Sequence, residues 1–249
     1  METQPNKLFL MCMDARMNVI ADSLNDGKSI FIRNAAGNPY GAIPTLDEVI
    51  SNYPIKQIIF IPHTDCGACK FTYSLLTKGE SSTTEIEDGL VSTIRSNIQD
   101  IKLFNSSQDI IELLQKLGTT FLKTRYPELK ISTELAKTNT VVTGEKHMLL
   151  LQPSTEKYST LCDKLGLPLN STYVSQRNNV SSSTCDVQLA GSALGIRNFT
   201  IMSNTNNTFQ EEHDSKIIKE AVGNGYPVKI TNAGIKPNLK TKPNLKKVF

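Results

Sequence analysis

Short apolar runs alternate with amphipathic segments over the first quarter of the chain. Three runs are continuously apolar, and they lie at 8–13, 29–33 and 57–62. Such runs are typical of strands that are buried on both faces of a parallel sheet. Residues at helical spacing, at 18–24 and 45–52, separate them. This order predicts an α/β fold with a mainly parallel β-sheet and flanking helices.

Apolar residues at helical spacing continue through 86–140, where we expect a helical segment that covers the sheet and connects it to the second half of the chain. Beyond it, three blocks resemble earlier blocks in the same order and at nearly constant distance. The pairs are 6–16 with 146–156, 30–36 with 173–179, and 45–63 with 184–204. This recurrence indicates an internal duplication. The alternative is that any two βαβ units share an apolar pattern.

We therefore expect two tandem repeats that form a pseudo-dimer within one chain. The predicted segments are a first repeat at 1–85, the helical segment at 86–140, a second repeat at 141–232, and a basic flexible tail at 233–249. The tail contains KPNLK twice, and its proline and asparagine residues disfavour a helix.

The net charge, the length of the apolar runs and the number of cysteines limit the classes of protein to which the chain can belong. The formal net charge is +3, but five tail lysines account for this excess, so we expect no nucleic-acid partner. No apolar run is long enough to span a membrane, and the N-terminus lacks a signal-peptide pattern. Five cysteines are an odd number, which disfavours a disulfide framework. We expect a cytoplasmic protein that binds a small molecule and no membrane.

Reactive side chains follow each of the three predicted strands. Cys12, Asp14 and Arg16 come at the end of the first strand, RNAAG at 33–37 ends the second, and HTDCG at 63–67 ends the third. The carboxyl ends of parallel strands meet at one edge of a sheet, where α/β proteins place their sites. We therefore expect these residues to lie together.

Two cysteines and one histidine of this set form a candidate zinc site. Thiolate and imidazole are preferred zinc ligands, and a catalytic site leaves the fourth position open. We expect Cys12, His63 and Cys66 to bind Zn²⁺. Asp14 and Arg16 lie on one side of an extended chain, so Arg16 can hold Asp14 ionised and away from the fourth position. The alternative for this pair is a purely structural ion pair.

The motifs C-x-D-x-R, R-N-A-x-G and H-T-D-C-G resemble those of the β-class carbonic anhydrases, and the last is closest to their short, archaeal-type branch. The resemblance covers 8–75 and implies the same three zinc ligands. It also implies a zinc lyase that reversibly hydrates carbon dioxide to bicarbonate through zinc-bound hydroxide, with Asp14 and Arg16 as the catalytic dyad. A dimer is the minimal unit that the resemblance implies.

A small, linear, apolar substrate requires a narrow apolar pocket. We expect the backbone of Asn34, Ala35 and Gly37 to shape its rim and Ile43 to form part of its wall. The alternative interpretation of 33–37 is that it forms a turn whose backbone conformation requires a glycine and that it has no role in substrate binding.

The second predicted repeat keeps the apolar pattern but lacks the zinc ligands. In the alignment of the two repeats, Gln152 replaces Cys12, Ser154 replaces Asp14 and Glu156 replaces Arg16. Asn204 replaces His63, and Asn207 replaces Cys66. We therefore expect one active site in each pseudo-dimer, and a homodimer of whole chains is possible.

Three rival functions stay open at this level. The first is hydrolysis of carbon disulfide or carbonyl sulfide on the same scaffold. The second is a catalytically inactive zinc-binding homologue of carbonic anhydrase. The third is thiol redox chemistry at Cys66 and Cys69, which the sequence CGAC permits.

Overall fold

The computed structural model describes residues 4–78, 90–97, 104–176, 180–202, 208–223 and 225–231. Within them, eight strands form two four-stranded parallel sheets, and helices flank both. The predicted α/β fold with mainly parallel sheets is therefore confirmed. Among the described residues, no helix is both long and apolar enough to cross a bilayer.

The first sheet has the order β2-β1-β3-β4, and all its strand pairs are parallel. Its strands are β1 (Lys7–Cys12), β2 (Ser29–Asn34), β3 (Gln57–Ile61) and β4 (Lys130–Thr133). Its helices are α1 (Met17–Leu24), α2 (Ile43–Asn52), α3 (Gly67–Lys78), α4 (Leu90–Arg95) and α5 (Ser107–Arg125). The strands and helices predicted in the first quarter are present, with small differences at their ends.

Strand β4 is an addition to the sequence prediction, because it lies inside the segment expected to be helical. Its sequence, KIST, is short and polar, and its residues are partly or fully exposed. In the described part of the chain it is an edge strand, with β3 as its only partner. An edge position requires no continuous apolar run, so periodicity did not reveal it.

The second sheet has the order β6-β5-β7-β8 and is also parallel. Its strands are β5 (His147–Leu151), β6 (Thr172–Gln176), β7 (Asn198–Met202) and β8 (Val228–Thr231), and its helices are α6 (Tyr158–Leu165), α7 (Val180–Ser192) and α8 (Thr208–Val222). It repeats the strand order of the first sheet, while the duplication itself stays a prediction. Some of the sequence predictions concern residues outside the described ones, namely Asn204, Asn207, the repeat boundary at 85 and the tail at 233–249.

The two sheets contact each other through β2 and β6. The side-chain amide of Gln176 lies along the edge of β2, where its Nε2 donates to the Phe31 carbonyl at 3.0 Å and its Oε1 accepts from the Arg33 backbone N–H. All three residues are buried. Gln176 thus satisfies two backbone groups that an edge strand would otherwise leave without partners.

Two side chains of α1 bind the second half of the chain. Asn18 donates to the carbonyls of Leu169 and Thr172, both at 2.8 Å. The carboxylate of Asp22 accepts from the backbone N–H groups of Tyr158 and Ser159, at 2.6 and 2.8 Å, and so caps the N-terminus of α6. Polar contacts as well as apolar packing therefore hold the two halves together.

We predict that Gln176→Leu destabilises the protein by about 2–6 kcal/mol, because it orphans two buried backbone groups and each costs roughly 1–3 kcal/mol. Denaturant unfolding measures this change. Gln115→Leu is the control, because Gln115 donates only a 3.4 Å bond to Thr133 Oγ1 and is partly exposed. Equal stability of the two variants would contradict a role for Gln176 in covering β2.

The turn after β2 packs directly on the end of β1. Ala36 and Gly37 both have left-handed backbones, with φ of 59° and 67°. A Cβ at Gly37 would lie 3.0 Å from the Met11 carbonyl carbon and 3.2 Å from the Cys12 nitrogen. The glycine is therefore required by conformation and by close approach of the chain to β1.

We predict that Gly37→Ala destabilises the protein more than Gly27→Ala. Gly27 has a similar φ of 74° but open space around its Cβ position, so alanine there costs only the left-handed conformation, roughly 1–2 kcal/mol. The clash at Gly37 adds about 1–3 kcal/mol. Thermal or denaturant unfolding of both variants tests this, and equal losses would refute the close contact with β1.

Candidate metal centre

Cys12, His63 and Cys66 converge at the carboxyl edge of the first sheet. One ligand atom from each lies within 4.8 Å of the others, and all three residues are buried. The two Sγ atoms are 3.8 Å apart. Three groups that favour soft divalent metals thus surround one point, and together they could hold a metal ion.

The sheet register explains this convergence. Cys12 is the last residue of β1, and its neighbour Met11 lies opposite Ile61 of β3 in the parallel pairing. His63 follows β3 by two residues, so it reaches the same edge. Asp65 then takes a left-handed backbone conformation, with φ of 59°, in the short turn that leads to Cys66, the residue before α3.

The imidazole of His63 is fixed through one nitrogen only. Its Nδ1 lies 3.1 Å from Thr138 Oγ1, while its Nε2 is buried and has no hydrogen-bond partner among the described residues. A buried polar atom that has no partner in the folded protein indicates that a ligand binds there. Nε2 is therefore the atom that His63 would offer to a metal.

Asp14 is paired with Arg16 in this structure. Arg16 Nε donates to Asp14 Oδ1 at 2.9 Å and Nη2 donates to Oδ2 at 2.7 Å, a two-pronged arrangement that fixes the carboxylate plane. Burial raises the pKa of Asp14, but the hydrogen bonds and the charge of Arg16 oppose this effect and leave the pKa below its usual value. Asp14 is therefore ionised at neutral pH.

Arg16 has a second acidic partner that sequence reasoning did not assign. Its Nη1 donates to Asp65 Oδ2 at 2.9 Å, its Nη2 donates to the Asp65 carbonyl at 2.9 Å, and Lys70 forms an ion pair with the same carboxylate. In the sequence, Asp65 has the pattern of an ordinary loop residue. Only the left-handed turn at Asp65 brings it over Arg16.

The two thiols have high proton affinity when no metal is bound. Burial raises the pKa of Cys12 well above its usual value, and the neighbouring Cys66 adds to the rise. The pKa of Cys66 is also raised, since the contact with Cys69 and burial outweigh the lowering effect of its hydrogen bond to Cys12. Both thiols are therefore protonated at neutral pH until a metal displaces the protons.

Arg33 supports the loop that joins Cys12, a candidate metal ligand, to Asp14. It is fully buried, and its guanidinium donates to the backbone carbonyls of Cys12 at 2.9 Å and Asp14 at 2.7 Å. It also donates to Asn18 Oδ1 at 2.5 Å and lies over the ring of Tyr158, 4.8 Å from its centroid. Backbone carbonyls, an amide and an aromatic face thus replace a carboxylate as partners of this buried cation.

The remaining predicted substrate residues take different positions. Asn34 is buried and donates to the Asn38 carbonyl at 2.8 Å, and the Ala35 N–H donates to Asp186 Oδ1 at 2.8 Å. Gly37 abuts the end of β1. Ile43 begins α2 and is partly buried. Their contact with substrate stays a prediction.

The second half of the chain reaches the centre through residues that the sequence analysis did not single out. The Val174 N–H donates to the Met13 carbonyl at 2.9 Å, between Cys12 and Asp14. The neighbouring Tyr173 is buried, and burial together with the charge of Asp14 raises the pKa of its phenol. No local sequence signal marks these residues, because their position depends on the packing of the second sheet against the first.

Comparison with solved structures finds carbonic anhydrases. A carbonic anhydrase from Glaciozyma antarctica is 25% identical, with a TM-score of 0.38, and the match covers 54% of this chain and 78% of that one. One of two tetrameric β-carbonic anhydrases from the filamentous ascomycete Sordaria macrospora is 19% identical, with a TM-score of 0.41 and coverage of 54% and 77%. Both TM-scores are below 0.5, so the functional proposal rests on side-chain geometry.

No protein-family model matches the chain. No curated protein matches it either. The archaeal-type branch that the HTDCG motif indicates stays a prediction.

We predict that a divalent soft metal releases about two protons per ion when it binds at neutral pH, because Cys12 and Cys66 must both ionise. Metal affinity therefore rises with pH while the thiols remain protonated. Calorimetry in buffers of different ionisation enthalpy counts the protons. Cys185→Ser, on α7, should leave this number unchanged, whereas release of no protons would exclude the two thiols as ligands.

Proposed function

We propose that this chain is a zinc-dependent lyase that interconverts carbon dioxide and bicarbonate. The observation that carries the proposal is a buried cluster of two thiols and an imidazole with an unpartnered Nε2, directly beside an acid that an arginine holds ionised. Structural zinc sites close the metal with four protein ligands, whereas three ligands leave one position for a reactant. The geometry therefore favours catalysis over a purely structural metal.

The sulfur positions fit a tetrahedral ion of the size of zinc. Two thiolates at about 2.3 Å from a tetrahedral ion are separated by about 3.8 Å. The observed distance between Cys12 Sγ and Cys66 Sγ is 3.8 Å. The buried Nε2 of His63 supplies the third donor. Two sulfurs and one nitrogen form a donor set that zinc prefers over calcium or magnesium.

The ion, when bound, supplies a Lewis acid that lowers the pKa of a water to about 7. The residues of the chain determine how that water is held. Asp14 Oδ1 accepts from both the backbone N–H and Nε of Arg16, while Oδ2 accepts from Nη2 alone among the donors that the structure describes. Oδ2 can accept one more hydrogen bond and so can orient the proton of a water. Arg16 keeps the carboxylate from turning towards the metal.

Asp65 reinforces this restraint. Arg16 bonds both its carboxylate and its carbonyl, so the guanidinium is held by a second residue besides Asp14. Release of Asp14 from Arg16 would give the metal a fourth protein ligand and close the site. The pairing seen here therefore favours an active enzyme over an inactive zinc-binding homologue.

The second half of the chain would act as the other subunit of a pseudo-dimer, with or without further dimerisation of whole chains. Its Val174 bonds the backbone of the ligand loop, and Leu194 Cδ2 lies 3.0 Å from the Cβ position of Gly67, next to Cys66. We propose that these residues line a small apolar pocket together with Asn34, Ala35, Gly37 and Ile43. A cytoplasmic location stays a prediction.

Zinc content and hydration of carbon dioxide, measured by stopped-flow on the same preparation, test the proposal. We predict one zinc per chain and hydration faster than buffer. Cys12→Ser should lose zinc and activity together. Asp14→Asn should keep zinc and lose activity at least ~10²-fold, as expected for a group that manages a proton in the reaction.

Cys69→Ser is the control for thiol chemistry and should keep both zinc and activity. One zinc per chain with hydration no faster than buffer would overturn the proposal in favour of an inactive homologue. Turnover of carbon disulfide or carbonyl sulfide without turnover of carbon dioxide would identify the hydrolase instead. Activity in the absence of metal, abolished by Cys69→Ser, would support redox chemistry.

A further inference from the structure

Thr138 lies behind the imidazole of His63, on the side away from the metal cluster. Its Oγ1 is 3.1 Å from His63 Nδ1 and 2.5 Å from the carbonyl oxygen of Thr64. Thr138 is 5% exposed and His63 is 1% exposed. Water therefore competes little for either hydrogen bond, and the three groups form a short buried chain.

The direction of the hydrogen bonds follows from the number of protons. A threonine hydroxyl has one proton to donate. The carbonyl of Thr64 can only accept, so the Thr138 proton lies on that bond. Thr138 Oγ1 must then accept from His63, which places the imidazole proton on Nδ1. The lone pair of the neutral ring is left on Nε2, the atom without a partner in the cluster.

The backbone holds the Thr138 hydroxyl in this position. His63 and Ala136 form a parallel bridge beyond the ends of β3 and β4, in which the Thr64 N–H donates to the Ala136 carbonyl at 2.9 Å. The Thr138 N–H donates to Thr64 Oγ1 at 3.0 Å. Thr64 and Thr138 thus bond each other twice, and the hydroxyl cannot turn away without breaking the bond to the Thr64 carbonyl.

We propose that Thr138 is a positioning residue that fixes the Nδ1–H tautomer and the ring orientation of His63, so that Nε2 is presented to the metal. The proposal rests on the metal centre of the proposed function and extends it to a residue far from the motifs in sequence. Groups that orient a metal-bound histidine in this way typically contribute 10–100-fold to metal affinity. Thr138 does not itself touch the metal or the substrate.

The first test is the zinc affinity of the whole chain, measured by competition with a chelator. Thr138→Val keeps the shape and removes the hydroxyl, and we expect it to weaken zinc binding about 10–100-fold. Thr138→Ser restores the hydroxyl and should recover most of the affinity. Thr172→Val is the matched control, because Thr172 is also buried and its Oγ1 donates to the Pro168 carbonyl at 2.7 Å, in the second half of the chain.

Unchanged zinc affinity in Thr138→Val, or an equal loss in Thr172→Val, would overturn the proposal. A valine variant that fails to fold is replaced as a test by Thr138→Ser and Thr138→Cys, which vary the hydrogen bond at smaller cost in packing. Weaker zinc binding in Thr138→Cys than in Thr138→Ser is then the expected result. Equal affinity in the two variants would contradict it.

The second test reads the tautomer directly by ¹⁵N NMR of the imidazoles. The chain has only three histidines, so a His63→Gln spectrum assigns the signal of interest. The spectra that decide are those of the metal-free protein at alkaline pH, because zinc bound through Nε2 would by itself leave the proton on Nδ1. There we expect a slowly exchanging Nδ1–H in the wild type that is lost in Thr138→Val and present in Thr138→Ser. If the wild type binds no zinc, the metal centre fails, and the metal-free spectrum still decides whether Thr138 sets the tautomer.

Discussion

Parallel pairing of β1 with β3 is the constraint on which the rest of the site depends. It places Cys12 and His63 at the same edge of one sheet, although they are far apart in sequence. The left-handed turn at Asp65 then brings Cys66 to the other two. Cys12 is the last residue of β1, His63 closely follows β3 and Cys66 precedes α3. Rigid elements therefore fix the ligand positions, and little depends on side-chain flexibility.

Two arginines stabilise the centre in different ways. Arg16 is charge-paired, and it keeps the Asp14 carboxylate ionised and fixed in orientation. Within the described part of the chain, Arg33 binds no carboxylate and instead donates to the backbone carbonyls of Cys12 and Asp14. One arginine therefore restrains the reactive side chain, while the other restrains the loop that carries it. Lysine could replace neither, because both roles use several donors of a planar group at once.

The second half of the chain contributes to the first through its backbone and its buried polar groups. Gln176 covers the edge of β2, and Val174 bonds the loop between Cys12 and Asp14. The local sequence predicted strands in this half and the loss of the metal ligands there. It could not predict that its strand β6 would support the metal loop, because that contact joins residues about 160 positions apart and leaves no periodic pattern.

The sequence by itself determined the α/β class, the positions of the buried strands and the residues that converge at their ends. Continuous apolar runs and the carboxyl-edge rule are local signals, and they were sufficient for Cys12, His63 and Cys66. Tertiary structure alone decided the edge strand β4, the pairing of Arg16 with Asp65 and the contact between Thr138 and His63. Each of these depends on the path by which a distant, weakly patterned segment returns to the sheet, and hydrophobic periodicity does not encode that path.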